Sequence, residues 1–459
     1  MSGFVFNKRP PIGLGSSATS IKLSSVNIMW PQIVGLLLSI PVLTSLYFSS
    51  PEGGFDSTAW RLSQVILVIL AFFSARSLSL AYKFLWPFIP WFLAIATATI
   101  LQFSNSEAWL ELVRALIMLL AGCSAAILIA TRQGFALVEG FLRAVFVGSI
   151  LICAYLVFAI GDLGNWNWGQ ARLVKAQLNE DSFQANSALF LLACGLLYFW
   201  PSKNRSRIPL ALLSLFVLAA SFALATRTPI IAFVGATAVI GMGIVAQRLV
   251  FGRHYKASRK SWILGAVITV SIFAVLLLAQ LNSNSLSDPN VARLFTGRVP
   301  MWQAGLIESR DAWLVGDYST SVSEALSRNA GQLSFLYSWE LRVLSNLSGG
   351  GFHSIWIEGL VRYGTIGLVG TALSAVGLIV ATFRFGVRFA YLQILIVLVL
   401  MRSFVEASGV FGGANSAEDL IVTVLFAWVL THSRTSHQQP SQKRNQKASA
   451  GDIARKELA

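Results

Sequence analysis

Apolar residues in this chain come in runs of roughly 15 to 25, and no other feature constrains the fold as tightly. A helix needs about 20 predominantly apolar residues to cross the hydrocarbon core of a bilayer. Runs of this kind lie near 28–48, 62–82, 84–103, 109–130, 141–160, 184–201, 208–226, 228–247, 262–280, 364–383, 389–405 and 418–432. The second is interrupted by Arg76 and serines. The last is short and follows Gly-Val-Phe-Gly-Gly-Ala-Asn at 409–415. Only 12% of residues are charged, about half the share of a soluble domain. The pattern excludes a soluble multidomain enzyme and predicts an all-α polytopic membrane protein of about 12 transmembrane helices. Cys123, Cys153 and Cys194 all fall inside apolar runs, which argues against a disulfide framework. The first 27 residues are polar and rich in Pro, Gly and Ser, and do not read as a cleavable signal peptide.

The net charge of +15 is then a topology signal before it is a nucleic-acid signal, and no nucleic-acid partner is expected. Twelve crossings put both termini on one side. That side collects 23 of the 35 basic residues and only three acids, Glu139, Asp452 and Glu457. Every loop on it obeys the positive-inside rule, so both termini are expected in the cytoplasm. Of the twelve basic residues left outside, eleven are Arg and only Lys175 is Lys, whereas nine of the inner 23 are Lys. Insertion bias lowers both types and does not explain the Arg excess. Guanidinium forks suit bidentate binding of phosphate or carboxylate.

The expected organisation is a cytoplasmic segment 1–27, helices 1–9 over 28–280, a large outer loop 281–352, helices 10–12 over 353–432 and a disordered tail 433–459. Within the loop, 299–309 and 321–347 read as helical. Leu336, Trp339, Val343 and Leu347 form an apolar stripe suited to packing on the bundle or resting on the bilayer interface.

Candidate chemistry gathers on the outer side. Arg227 lies in Ala-Leu-Ala-Thr-Arg-Thr-Pro-Ile (223–230), at a hairpin between two apolar runs and beside a helix N-terminus. Such a place favours an anion, although an Arg there also simply snorkels to the interface. Arg298 sits in Thr-Gly-Arg-Val-Pro-Met-Trp (296–302), five residues after Arg293, with Trp302 able to stack or anchor. His353 is the one outer histidine of four. It follows Gly349-Gly350-Gly351-Phe352 and precedes a helix entering the membrane, where an imidazole can take a proton from a hydroxyl near neutral pH. Ser354 is a candidate N-cap. Glu358 and Arg362, four apart, suit a helical ion pair. Glu358 is alternatively a support for His353, but a five-residue spacing turns the two to different faces of a continuous helix. No His/Cys cluster has metal-ligand spacing, and the outer acids do not gather as a diphosphate-binding cation requires, so no metal and no cofactor is expected. No Walker-type glycine loop is present.

These features together resemble the O-antigen ligase and polysaccharide polymerase family. His353-Ser354, nine residues and then Gly364-Thr365-Ile366-Gly367 match its signature at the end of a large late outer loop. Ala-Thr-Arg-Thr (225–228) looks like its Arg-bearing hairpin, and Thr-Gly-Arg-Val-Pro-Met-Trp looks like its Gly-Arg…Trp segment. Asn179 and Asn186 stand where members often carry an Asn. The resemblance covers roughly 180–385. It implies a GT-C-like, inverting, metal-independent glycosyltransferase of the bacterial inner membrane. Such an enzyme moves a glycan from undecaprenyl pyrophosphate to an acceptor glycan or lipid A core at the periplasmic face. By the same resemblance, Arg227 and Arg298 hold the pyrophosphate and His353 is the base; Arg293, Glu358 and Trp302, from their positions in the sequence, are candidate supporting residues. Polymerase is favoured over ligase because nothing marks a lipid A surface. A flippase for lipid-linked oligosaccharide is the alternative.

Overall fold

The computed structural model describes residues 20–23, 26–47, 59–74, 79–159, 228–251, 259–282, 298–333, 352–383, 390–404 and 417–431. Arg227, Arg293, the runs expected at 184–201 and 208–226, the stripe at 336–347 and the tail 433–459 lie outside them.

The first described elements form an antiparallel hairpin, β1 (Ser20–Leu23) paired with β2 (Val26–Met29), in a register that sets Ser20 opposite Met29 and Leu23 opposite Val26. Helices follow: α1 (Trp30–Tyr47), α2 (Trp60–Ser74), α3 (Ser79–Leu85), α4 (Ile89–Leu101), α5 (Ser106–Ile129) and α6 (Arg132–Ala159). Further along come α7 (Thr228–Phe251), α8 (Arg259–Leu281), the short α9 (Arg298–Glu308) and α10 (Val322–Arg328), α11 (Ile355–Phe383), α12 (Ala390–Arg402) and α13 (417–431).

Five of these stretches are long and apolar enough to cross a membrane: Ser106–Ile129, Gln133–Ile152, Ala232–Val250, Ile263–Leu281 and Ile355–Phe383. The bent pair α3–α4 counts as a sixth candidate. Phe72 and Phe73 are about four-fifths exposed on α2, and Leu249 likewise on α7. An apolar exterior of that kind fits hydrocarbon, and backbone held in helices is what a bilayer tolerates.

Two expectations need correction. The run at 84–103 is not one straight helix: Phe84 and Leu85 end α3, which turns by 67° into α4. Pro87 lies in the turn between them and Pro90 in the first turn of α4. Neither offers an N–H, and a proline ring clashes with the preceding helical turn, so the helix breaks and restarts there. The helix expected at 321–347 is not continuous: α10 ends at Arg328, and 334–347 lie outside the described residues. Helix α10 begins with a capping box, in which Ser321 and Glu324 bond each other's backbone N–H, and closes at Asn329.

Packing follows from small residues and from one fully enclosed helix. Gly35 of α1 faces the Leu137 carbonyl of α6, and Gly140 of α6 faces the Gln32 carbonyl. A Cβ on Gly35 would stand 2.1 Å from that oxygen, so the two backbones meet as small-residue helix pairs do. Every residue of α13 is buried, so its apolar circumference touches protein on all sides. A second, smaller core joins α9 and α10 to the first turns of α11 through Val299, Trp302, Leu326, Phe352, Ile357 and Val361. One end of the bundle gathers the end of α4, the start of α5, the ends of α8 and α12 and the segment 309–321. The opposite end joins the start of α6 to the end of α13, where Phe135 and Trp428 meet at 4.6 Å.

Candidate functional site

His353 stands where several elements meet. Its φ is +51°, and among the described residues no other non-glycine is positive. Holding an L-residue there costs on the order of 1 kcal/mol, so the surroundings must over-determine the turn. They do. The Phe352 N–H donates to Glu358 Oε2 at 2.6 Å. The Ile355 N–H donates to the Ser403 carbonyl beyond α12 at 3.0 Å. Ser354, fully buried, is the N-cap that its type suggests, accepting the Ile357 N–H at 3.4 Å. Its hydroxyl donates to Gln280 Oε1 on α8 at 3.3 Å, and Gln280 Nε2 donates to the Phe404 carbonyl at 2.8 Å. Three helices, α8, α11 and α12, therefore fix residues 352–355, while the His353 side chain keeps partial exposure.

Glu358 makes two contacts at this turn. The expected ion pair with Arg362 is present, and the carboxylate also holds the turn before the helix. Because α11 starts at Ile355, His353 is not on the helix, and the facing of side chains along a continuous helix does not apply to it. Arg362 is held in turn. It donates to Tyr318 Oη at 3.0 Å and lies 4.9 Å from that ring. Tyr318 donates to Glu111 Oε2 on α5 at 3.2 Å, and Arg114 pairs with the same oxygen. Burial, and after it the Glu111 charge, pushes the Tyr318 phenol well above its ordinary range, so it stays a neutral donor.

The Gly364–Gly367 pair has a structural explanation. The nine residues 355–363 form a short buried helix, and at Gly364 the chain breaks, with φ +64° and ψ −161°, before the membrane-length part begins. Gly316, at φ +78°, lies against the same place. A Cβ on Gly364 would stand 2.3 Å from the Leu314 carbonyl group, and one on Gly316 would stand 2.5 Å from Gly364 N. The freed groups are used: Thr365 N–H donates to Trp313 O at 2.7 Å, and Asp317 N–H to Val361 O at 2.8 Å. Gln102 from α4 clamps the junction through Val315 O, Arg362 O and the Tyr318 N–H.

Arg298 is the first residue of α9 and is half-buried. Its guanidinium adds to the positive end of that helix. Trp302 is buried in the smaller core. The Phe352 ring lies 3.0 Å from where a Gly305 Cβ would be, and Arg298 is two turns before Gly305, about 10 Å along the axis. Thus α9 runs from Arg298 to the residue beside His353. Glu308 at its far end binds Arg328 at 3.0 Å and Asn329 at 2.6 Å, clasping α9 to α10.

Sequence reasoning passed over Gln102, Gln280, Tyr318 and the buried Arg402–Glu418 ion pair, which joins α12 to α13 just behind Ser403. For Gln102, Gln280, Arg402 and Glu418 the available signal was a polar residue at or near the end of an apolar run, a place where water would satisfy it equally well, whereas Tyr318 lies in the large loop outside any run. Among the described residues no His/Cys/Asp/Glu group of three or more could hold a metal ion. No family model matches the chain, and no curated protein matches it by sequence.

Proposed function

We propose that this chain is an inverting glycosyltransferase that moves a glycan from an undecaprenyl-pyrophosphate donor to an acceptor sugar hydroxyl at the periplasmic face of the bacterial inner membrane. Polymerisation of a surface polysaccharide is favoured over ligation to lipid A core. The observation that carries this reading is the turn at His353: a partly exposed imidazole on a left-handed backbone, braced by three helices, with the Arg298 helix packed on its neighbour Phe352. A polymerase or ligase needs a base fixed near cations at one membrane face.

In the proposed step the acceptor oxygen forms a bond to the anomeric carbon and the bond from that carbon to the pyrophosphate oxygen breaks. His353 takes the acceptor proton. The negative charge left on undecaprenyl pyrophosphate is met by Arg298 and Arg227, whose forks suit a diphosphate. Among the described residues, the buried charges Glu111, Glu358, Arg402, Glu418 and Asp419 lie toward the His353 end of the bundle.

The test is transfer in vitro by protein in nanodiscs, with a synthetic undecaprenyl-pyrophosphate glycan and an acceptor, in EDTA. Transfer by wild type, indifferent to chelator and reduced at least about 100-fold in both His353→Ala and Arg298→Ala, is the expected result. A ladder of products marks a polymerase and a single product a ligase. Movement of the lipid-linked glycan across liposomes without transfer would replace this reading with a flippase.

A further inference from the structure

We infer that Glu358 is the positioning residue for His353, acting through the Phe352 N–H and held in place by Arg362, Tyr318 and Glu111. The inference rests on the reading of His353 as the base. His353 has the one positive φ among described non-glycine residues, and a residue in that region stays there only if its neighbours are fixed. On its C-terminal side, Ser354 and Ile355 are tied to Gln280 and Ser403. On its N-terminal side, the Phe352 N–H donates to Glu358 Oε2 at 2.6 Å. Glu358 and Phe352 are both buried, so this charge-assisted bond is made away from water.

The carboxylate itself cannot drift. Arg362 pairs with its other oxygen, Oε1. The same guanidinium is anchored by Tyr318 Oη, and Tyr318 by Glu111 on α5. This chain of contacts leads from a membrane-length helix to the backbone atom immediately before His353. Glu358 also lies in the first turn of α11, where a negative charge opposes the helix dipole favourably. The imidazole is thereby aimed by a group that touches no reacting atom.

Wild type, Glu358→Ala, Glu358→Gln and His353→Ala would be compared in nanodiscs, with the undecaprenyl-pyrophosphate glycan as donor and with amide hydrogen exchange over residues 350–356. Glu358→Ala should lower kcat about 100-fold, the effect expected of a misplaced base, with donor KM within about twofold of wild type. Glu358→Gln, whose amide oxygen still accepts the Phe352 N–H, should recover kcat to within about tenfold. The Phe352 and His353 amides should exchange faster in the Ala variant and near the wild-type rate in the Gln variant. Wild-type kcat in Glu358→Ala, or a Gln variant as inactive as Ala with its amides still protected, overturns the inference. Should Glu358→Ala not fold, Glu358→Leu replaces it, keeping volume without an acceptor. If His353→Ala transfers normally, the base reading fails. Exchange then decides alone: protection lost in Ala and kept in Gln upholds the bracing of the turn, and unchanged protection refutes it.

Discussion

Gly364 is the residue on which the site's geometry is least forgiving. Its φ of +64° is one that side chains rarely adopt, and a Cβ there would lie 2.3 Å from backbone atoms of Leu314 that cannot rotate away. Gly364→Ala should therefore lower stability by on the order of 3 kcal/mol, from the left-handed conformation and overpacking together. Gly359, one turn and a half earlier in the same helix, is the control, because the nearest atom to its would-be Cβ is Thr371 Oγ1 at 3.8 Å. Gly359→Ala should be neutral or stabilising by up to about 1 kcal/mol. Thermal unfolding in detergent, followed by intrinsic fluorescence, separates the two; equal melting temperatures would refute the argument. Asp317 supplies a pH dependence. Burial raises its carboxyl, but Ser319 through both N–H and hydroxyl, Thr320 and the Arg328 charge outweigh that, and the net value is below the ordinary one. A carboxyl depressed in the folded state stabilises it above the unfolded value, near 3.9, and the contribution disappears as pH falls through the folded value. Proteolysis of the 309–321 segment should hence accelerate only below about pH 4, and Asp317→Asn should remove that step.

At the scale of elements, the apolar runs were legible because period and length determine where a helix lies. The described helices α1, α5, α7, α8, α12 and α13 overlie the runs within a few residues. Where the reading failed, a local backbone rule prevailed over hydropathy. Pro87 and Pro90 split the run around 84–103 from its approach, and Asn329 closed α10 long before 347. The buried helix 355–363 was hidden for another reason. It is continuous in sequence with the membrane-length part, and only the left-handed Gly364 and the contact with Gly316 separate them. Its signature spacing, a His-Ser pair and a Gly-x-x-Gly nine residues later, was visible, but the reason for nine was not. The clasp at α10 gives a direct test of element stability. Ser321→Ala removes the acceptor for the Glu324 N–H, at a cost of about 1 kcal/mol. Amide exchange should quicken over 322–328, and unchanged exchange there would mean that the smaller core, not the capping box, holds α10.

Across the whole molecule, charge and contact geometry make separate statements that one experiment can join. The charge count assigns a side: 23 of 35 basic residues fall in segments that share a side if the crossings alternate. The contacts assign an end without naming the side: Gln102, Glu111, Gln280, Ser403 and the 309–321 segment all meet at the end that carries His353. Phe135 and Trp428 mark the other end. Residues expected outside thus cluster at one end, and those expected inside at the other. Asp311 and Gln133 are exposed at these two ends. In a variant with Cys123, Cys153 and Cys194 replaced by serine, Asp311→Cys should react with a membrane-impermeant maleimide in cells whose inner membrane is intact. Gln133→Cys should react only after permeabilisation. Reversed labelling would put His353 in the cytoplasm, where lipid-linked donors are assembled, not consumed, on the proposed reading, and the transferase proposal would have to be abandoned. Labelling of both sites in intact cells would mean that the α5–α6 turn and the 309–321 segment share a face. The alternation of crossings on which the charge argument depends would then be wrong.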